Sequence, residues 1–263
     1  MIETHAHLDF PDFDSDRADV FERAFQAGVH TIINIGTDFP SCDRVLEIAE
    51  RFPNAYAVLG IHPHDASSWE GEKSAARLET LARHPKVVGI GEIGLDYYRD
   101  RSPRDRQRSA FVDQIGVARK LGLPIVIHNR DAFPDIFDVL VETEAWRVGG
   151  VMHCFSENAE AAQRTIDLGF HLSVNGILTY KNSTMADVGR TVRLDRILLE
   201  TDCPFLTPVP YRGKRNEPAY VPLVAAKLAE LRGCTVAEIE RVTDENANRL
   251  FRLAVIEQSP TST

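Results

Sequence analysis

The feature that most constrains this chain is an alternation that runs almost its whole length. Short apolar runs and amphipathic stretches follow one another eight times within 263 residues. The apolar runs occupy residues 2–9, 31–36, 55–62, 87–92, 124–129, 150–155, 170–175 and 196–202. Helical spacing fills the gaps. Residues 14–27 place Val20, Phe21, Ala24 and Phe25 on one face and stop at Gly28. Ser102-Pro103 reads as an N-cap with proline in the first helical position, opening a helix through Phe111, Ile115 and Ala118 to Gly122. Ser156 reads as the cap of a helix over 156–168, and Thr235 with Glu238 as a capping box for a last helical stretch. Strands separated by helices pair in parallel, and eight such units predict a single (β/α)8 TIM barrel with an additional C-terminal helical stretch. The competing architecture is a doubly wound open sheet. With no linker or repeat in the chain, the barrel domain is expected over 1–256, followed by a polar tail at 257–263.

The ends of those runs carry the chemistry. His5 and His7 stand two apart at the end of the first, so a strand points both imidazoles to one face. Glu92 ends the fourth run, His128 the fifth, His153 lies in the sixth and Asp202 ends the eighth. An open sheet gathers ligands at one crevice, whereas a closed ring brings five strand ends to a common centre. Four imidazoles and two carboxylates exceed the needs of one tetrahedral structural ion and suit two ions with open positions. One carboxylate must then bridge. Glu92, midway round the ring, is the expected bridge, with His5, His7 and Asp202 completing one site and His128 with His153 the other. Imidazoles favour Zn, Mn or Fe over Mg.

Several longer stretches accompany these residues: E-T-H-A-H-L-D, G-I-H-P-H, G-E-I-G-L-D-Y-Y, P-I-V-I-H-N-R-D-A, M-H-C-F-S, L-L-E-T-D-C-P-F-L-T-P and P-Y-R-G-K-R-N-E-P. In order and content they resemble the TatD family of metal-dependent deoxyribonucleases, from Ile2 to about Phe251. The resemblance implies a barrel of the amidohydrolase-like metalloenzymes with two divalent ions, Zn, Mn or Mg, on His5, His7, Glu92, His128, His153 and Asp202. It implies phosphodiester cleavage of DNA, as a 3′-exonuclease on single strands.

Within that expectation Asp202 and Glu92 serve catalysis, with Asp202 also accepting the water's proton. His62 and His64 would stand on the rim and contact phosphate or protonate the leaving oxygen. Glu200 shares the face of Asp202 and would support the ligands from behind. The net charge of −9 argues against a broad nucleic-acid-binding face, so single-stranded DNA or frayed ends would be held locally. Arg99 and Arg130, and Tyr211, Arg212, Lys214 and Arg215 in the loop after the eighth run, are the candidates. The four scattered cysteines and the missing apolar span point to a cytoplasmic protein with no membrane contact and no obligate protein partner. A metal-dependent ester or amide hydrolase, such as a D-aminoacyl-tRNA deacylase, is the competing activity. A barrel that binds without catalysis is the other.

Overall fold

The computed structural model describes residues 1–253. Its strands are β1 (Ile2–Ala6), β2 (Thr31–Ile35), β3 (Ala55–Leu59), β4 (Val87–Asp96), β5 (Ile125–Arg130), β6 (Gly150–Met152), β7 (His171–Val174) and β8 (Ile197–Leu199). They pair in parallel in chain order. Ala6 bridges Cys203, the His7 N–H donates to Cys203 O at 2.9 Å, and the Asp202 N–H donates to His5 O at 2.9 Å. These contacts bring the first and last strands together into a nearly closed barrel. Between the strands lie α1 (Arg17–Gln26), α2 (Phe39–Arg51), α3 (Glu72–Leu81), α4 (Arg104–Leu121), α5 (Phe133–Glu142), α6 (Ala159–Asp167) and α7 (Met185–Thr191); α8 (Val221–Arg232) and α9 (Val236–Phe251) follow β8. The expected polar tail at 257–263 lies outside the described residues.

Two apolar layers follow from the period of two along each strand. One face of β5 carries Ile125 and Ile127 into the large core beneath the helices, while Val126 joins a smaller cluster with Ile33, Ile35, Val58, Val88, Val151 and Leu198. Ala247 and Phe251 of α9, with Leu253, pack on that inner cluster and close its floor. Two residues beyond Val126, Val151 and Leu198 come His128, His153 and Glu200. The inner face is therefore apolar at the floor and polar at the mouth.

Three local readings of the sequence change. β4 continues to Asp96 instead of ending at Glu92. Its glycines leave room for the neighbouring strand, because a methyl on Gly94 (φ 146°) would lie 2.0 Å from His128 O. Ser102 does not cap α4; its hydroxyl donates to His64 O at 2.8 Å, and Pro103 holds the cap position without a side-chain bond. The cap of α6 is Asn158, which accepts from the Ala161 N–H at 2.9 Å, so Ser156 is not the cap. Thr235 does cap α9, accepting from the Glu238 N–H at 3.2 Å.

Candidate metal centre

The six expected ligands meet at the mouth. Nε2 of His5 faces Nε2 of His7 at 3.2 Å. Asp202 Oδ1 lies 3.7 Å from the first and 3.5 Å from the second. Glu92 turns its two oxygens to different imidazoles. Oε2 lies 3.5 Å from His5 Nε2 and 3.7 Å from His7 Nε2, while Oε1 lies 2.7 Å from His128 Nδ1 and 2.8 Å from His153 Nε2. At the mouth, three sets of donor atoms among the described residues fall within 4.8 Å of one another: His5, His7 and Glu92; His5, His153 and Asp202; and His62, Glu92 and His128. The His62 set departs from the sequence reading, which paired His128 with His153 alone.

This arrangement fits divalent cations. Two neutral imidazoles facing each other through Nε2 can share one proton at most, whereas a cation beside them takes both lone pairs. Charge balance points the same way. Burial pulls His7 down, but Asp202 and Glu92 outweigh it and push the imidazole up to about 9. Against the same opposition from burial, Glu92 and Glu200 hold His153 well above its ordinary range. Burial alone would raise Glu92; His153, His62 and His128 instead carry it well below the usual carboxylate range. Protons on imidazoles here balance buried carboxylates, a role that metal ions fill at neutral pH.

A further layer holds these groups in place. Glu200 accepts from the Cys154 N–H at 2.8 Å, from Asn175 Nδ2 at 3.0 Å and from the Ser173 hydroxyl, and its Oε1 lies 3.7 Å from His153 Nδ1. Two carboxylates were not singled out from the sequence. Asp96 Oδ2 lies 2.8 Å from His64 Nε2 and 3.1 Å from His128 Nε2, and its Oδ1 accepts from the N–H groups of Tyr98 and Arg99. It thereby fixes His128 with Nδ1 towards Glu92. Glu3 Oε1 accepts from the N–H groups of His5 at 2.8 Å and Thr201 at 3.0 Å, tying β1 to the segment after β8. The signal for both was the strand period: Asp96 is Glu92 plus four and Glu3 is His5 minus two.

The rim differs from expectation in two places. His62 is not on it. It is 8% exposed, its Nε2 is 3.5 Å from Glu92 Oε1, and burial together with His128 pushes it down to about 4. Gly60 allows this inward turn, since a methyl there would meet the Gly91 backbone at 2.7 Å. His64, with its side chain 21% exposed, does stand at the edge. Arg215 is also taken out of the substrate surface, because its guanidinium pairs with Asp16 at 2.7 Å and lies over the Phe13 ring. Arg99 and Arg130 are exposed and lie over Tyr98, Arg212 lies over Tyr180 at 4.2 Å, and Lys214 lies near the exposed Tyr211. All four cysteines are free thiols, and no helix among the described residues is long and apolar enough to cross a membrane.

The family model for TatD related DNase matches residues 2–252. An uncharacterized metal-dependent hydrolase, YabD of Bacillus subtilis, is 46% identical over 96% of this chain and 99% of its own length. The 3′-5′ ssDNA/RNA exonuclease TatD of Cronobacter sakazakii is 35% identical over 95% of this chain and 97% of its own. The crystal structure of YJJV, a TatD homologue from Escherichia coli K12, superposes with a TM-score of 0.91 at 34% identity, covering 97% of this chain and 98% of the other. The chain therefore belongs to the TatD family and is a metal-dependent hydrolase of that nuclease family.

Proposed function

We propose that this barrel is a two-metal phosphodiesterase that removes nucleotides from the 3′ end of single-stranded DNA. The observation that carries the reading is Glu92, whose two oxygens face two separate imidazole pairs. His5, His7 and Asp202 would hold one ion, His128 and His153 the other, with Glu92 between them and His62 adjoining the second. Two divalent ions so placed supply an acidified water and offset charge on the phosphoryl oxygens. The protein's own groups do the rest. Asp202 Oδ1, at the open side of the cluster, takes the proton of the attacking water. His64, at the edge of the mouth with its Nε2 held by Asp96 at 2.8 Å, is the imidazole placed to face the leaving oxygen. Arg99, Arg130, Arg212 and Lys214 offset the phosphates on an otherwise acidic surface. The exonuclease name carried by relatives such as that of Cronobacter sakazakii supports the substrate. The same reading places the enzyme in the cytoplasm, consistent with its four unpaired thiols.

The test is a metal analysis of the purified protein, then digestion of end-labelled single- and double-stranded DNA with Mg, Mn or Zn added back. Stepwise loss from the 3′ end of the single strand is expected. Deacylation of D-aminoacyl-tRNA with no loss from DNA under any ion would replace the nuclease with the ester hydrolase.

A further inference from the structure

The mouth carries three exposed aromatic rings, and they are not equivalent. Tyr98 is 59% exposed, but Arg130 already lies over its ring at 4.0 Å. Tyr211 is 37% exposed and stacks on Tyr220 with ring centroids 4.8 Å apart. Phe205 is 51% exposed and meets only one described ring, that of Phe10, at 5.9 Å and nearly perpendicular. Phe10 in turn lies 5.1 Å from the His7 ring. A file of rings thus leads from the metal centre outward across the seam of β1 and β8, and its last member is left half open to water.

The position of Phe205 is fixed. Its N–H donates to Asp202 O at 2.9 Å, and Asn216 Nδ2 donates to Phe205 O at 2.5 Å and to Thr201 O at 2.9 Å. Asn216 itself is fully buried. The ring is therefore held three residues from the group assigned to accept the water's proton. It sits on the same rim as the exposed Arg212 and Lys214.

We infer that Phe205, backed by Phe10, is the stacking platform for the unpaired nucleobase next to the scissile phosphate. This inference rests on the nuclease reading above and specifies what that site grips. A base lies one sugar away from its phosphate, so a phosphate at the metal centre brings its base over this rim. Every base presents a π face, which makes such a contact tolerant of sequence. A base paired in a duplex is tied to its partner strand and stacked on its neighbour, so it turns onto the ring only after fraying, and the platform favours single strands and frayed ends. Phe205 is a positioning residue: it orients the nucleotide and touches no reacting atom.

The test compares Phe205→Tyr, Phe205→Leu and Phe205→Ala on two single-stranded oligonucleotides, one intact and one abasic at the 3′-terminal nucleotide. On the intact strand KM should rise about tenfold for the alanine variant, less for leucine and little for tyrosine, in line with the worth of one base–aromatic stack. On the abasic strand wild type should already show the raised KM, and the three variants should match it. The leucine variant fills the same space without a ring and guards against a loop that simply collapses. Equal KM for wild type and alanine on the intact strand would overturn the platform. So would a penalty of the same size on the abasic strand, which would mean that Phe205 only shapes the turn beside Asp202. Wild type that cleaves neither strand under any ion sinks the nuclease reading itself, and the platform with it.

Discussion

The two ends of this barrel are built from the same eight strands and obey opposite rules. At the floor, α9 seals the inner face with Ala247 and Phe251, and Val88, Tyr56 and Ile2 pack around them. At the mouth, four imidazoles and two carboxylates converge with like donors facing each other at 3.2 Å. The floor is satisfied by burial alone. The mouth is satisfied only when something positive is added. The lesson is a division of labour along β5, β6 and β8: Val126, Val151 and Leu198 pack the floor, and His128, His153 and Glu200, two residues higher, line the mouth.

The comparison breaks most sharply at Glu92. Glu92→Gln should lower turnover by a factor on the order of a thousand and lose at least one bound metal, while circular dichroism still reports a folded barrel. Full metal occupancy with near-normal turnover would falsify the bridging role. The mirror experiment is Phe251→Ala. Removing a ring that is 2% exposed should cost about 3–5 kcal/mol of stability in a denaturant titration, with turnover of the remaining folded enzyme changed only a few-fold. A variant that stays stable but loses activity would erase the distinction between the two ends.

Much of this was legible beforehand, and the misses share a cause. Eight apolar runs gave the barrel because only a ring gathers five such strand ends, and the candidate ligands that meet at the mouth stood at those ends. Asp96 escaped because β4 was stopped at the first charged residue. Its real length is set by pairing with β5 out to Arg130, with Asp96 opposite that residue. His62 was misplaced because nothing in Gly60-Ile61-His62 tells a rim loop from a chain turning inward; the close approach of the Gly91 backbone decides it. Arg215 looked like its neighbours in a basic loop until Asp16, 199 residues away, claimed it. Strand period is local and survives in sequence, whereas ion pairing across the fold does not.

Two smaller effects sharpen the contrast. Asp96→Asn should weaken metal binding about ten- to a hundredfold by calorimetry, the usual effect of removing a carboxylate behind a ligating histidine. An unchanged affinity would make Asp96 a structural turn residue. At the other end, His171 opens β7 with both ring nitrogens buried. Burial, aided by Arg196 and Arg249, pushes it down to about 4. It stays neutral when folded, whereas the unfolded chain takes up a proton below about 6.5. Its contribution to stability is therefore complete above about pH 6.5 and is lost as pH falls towards 4. His171→Leu should shrink the stability difference between pH 7 and pH 4.5 by an amount on the order of 1–3 kcal/mol. A variant with the same acid sensitivity as wild type would assign that slope to the mouth instead.

The seam between β1 and β8 also sets a clock. His5 and Asp202 are joined by a backbone hydrogen bond, yet they are the first and last of the six candidate ligands in the chain. While the ribosome works through the residues between them, a nascent chain can hold His5, His7, Glu92, His128 and His153 but cannot form the complete set. On the two-metal proposal, the centre would stay incomplete until Asp202 has been made and the segment after β8 closes against β1.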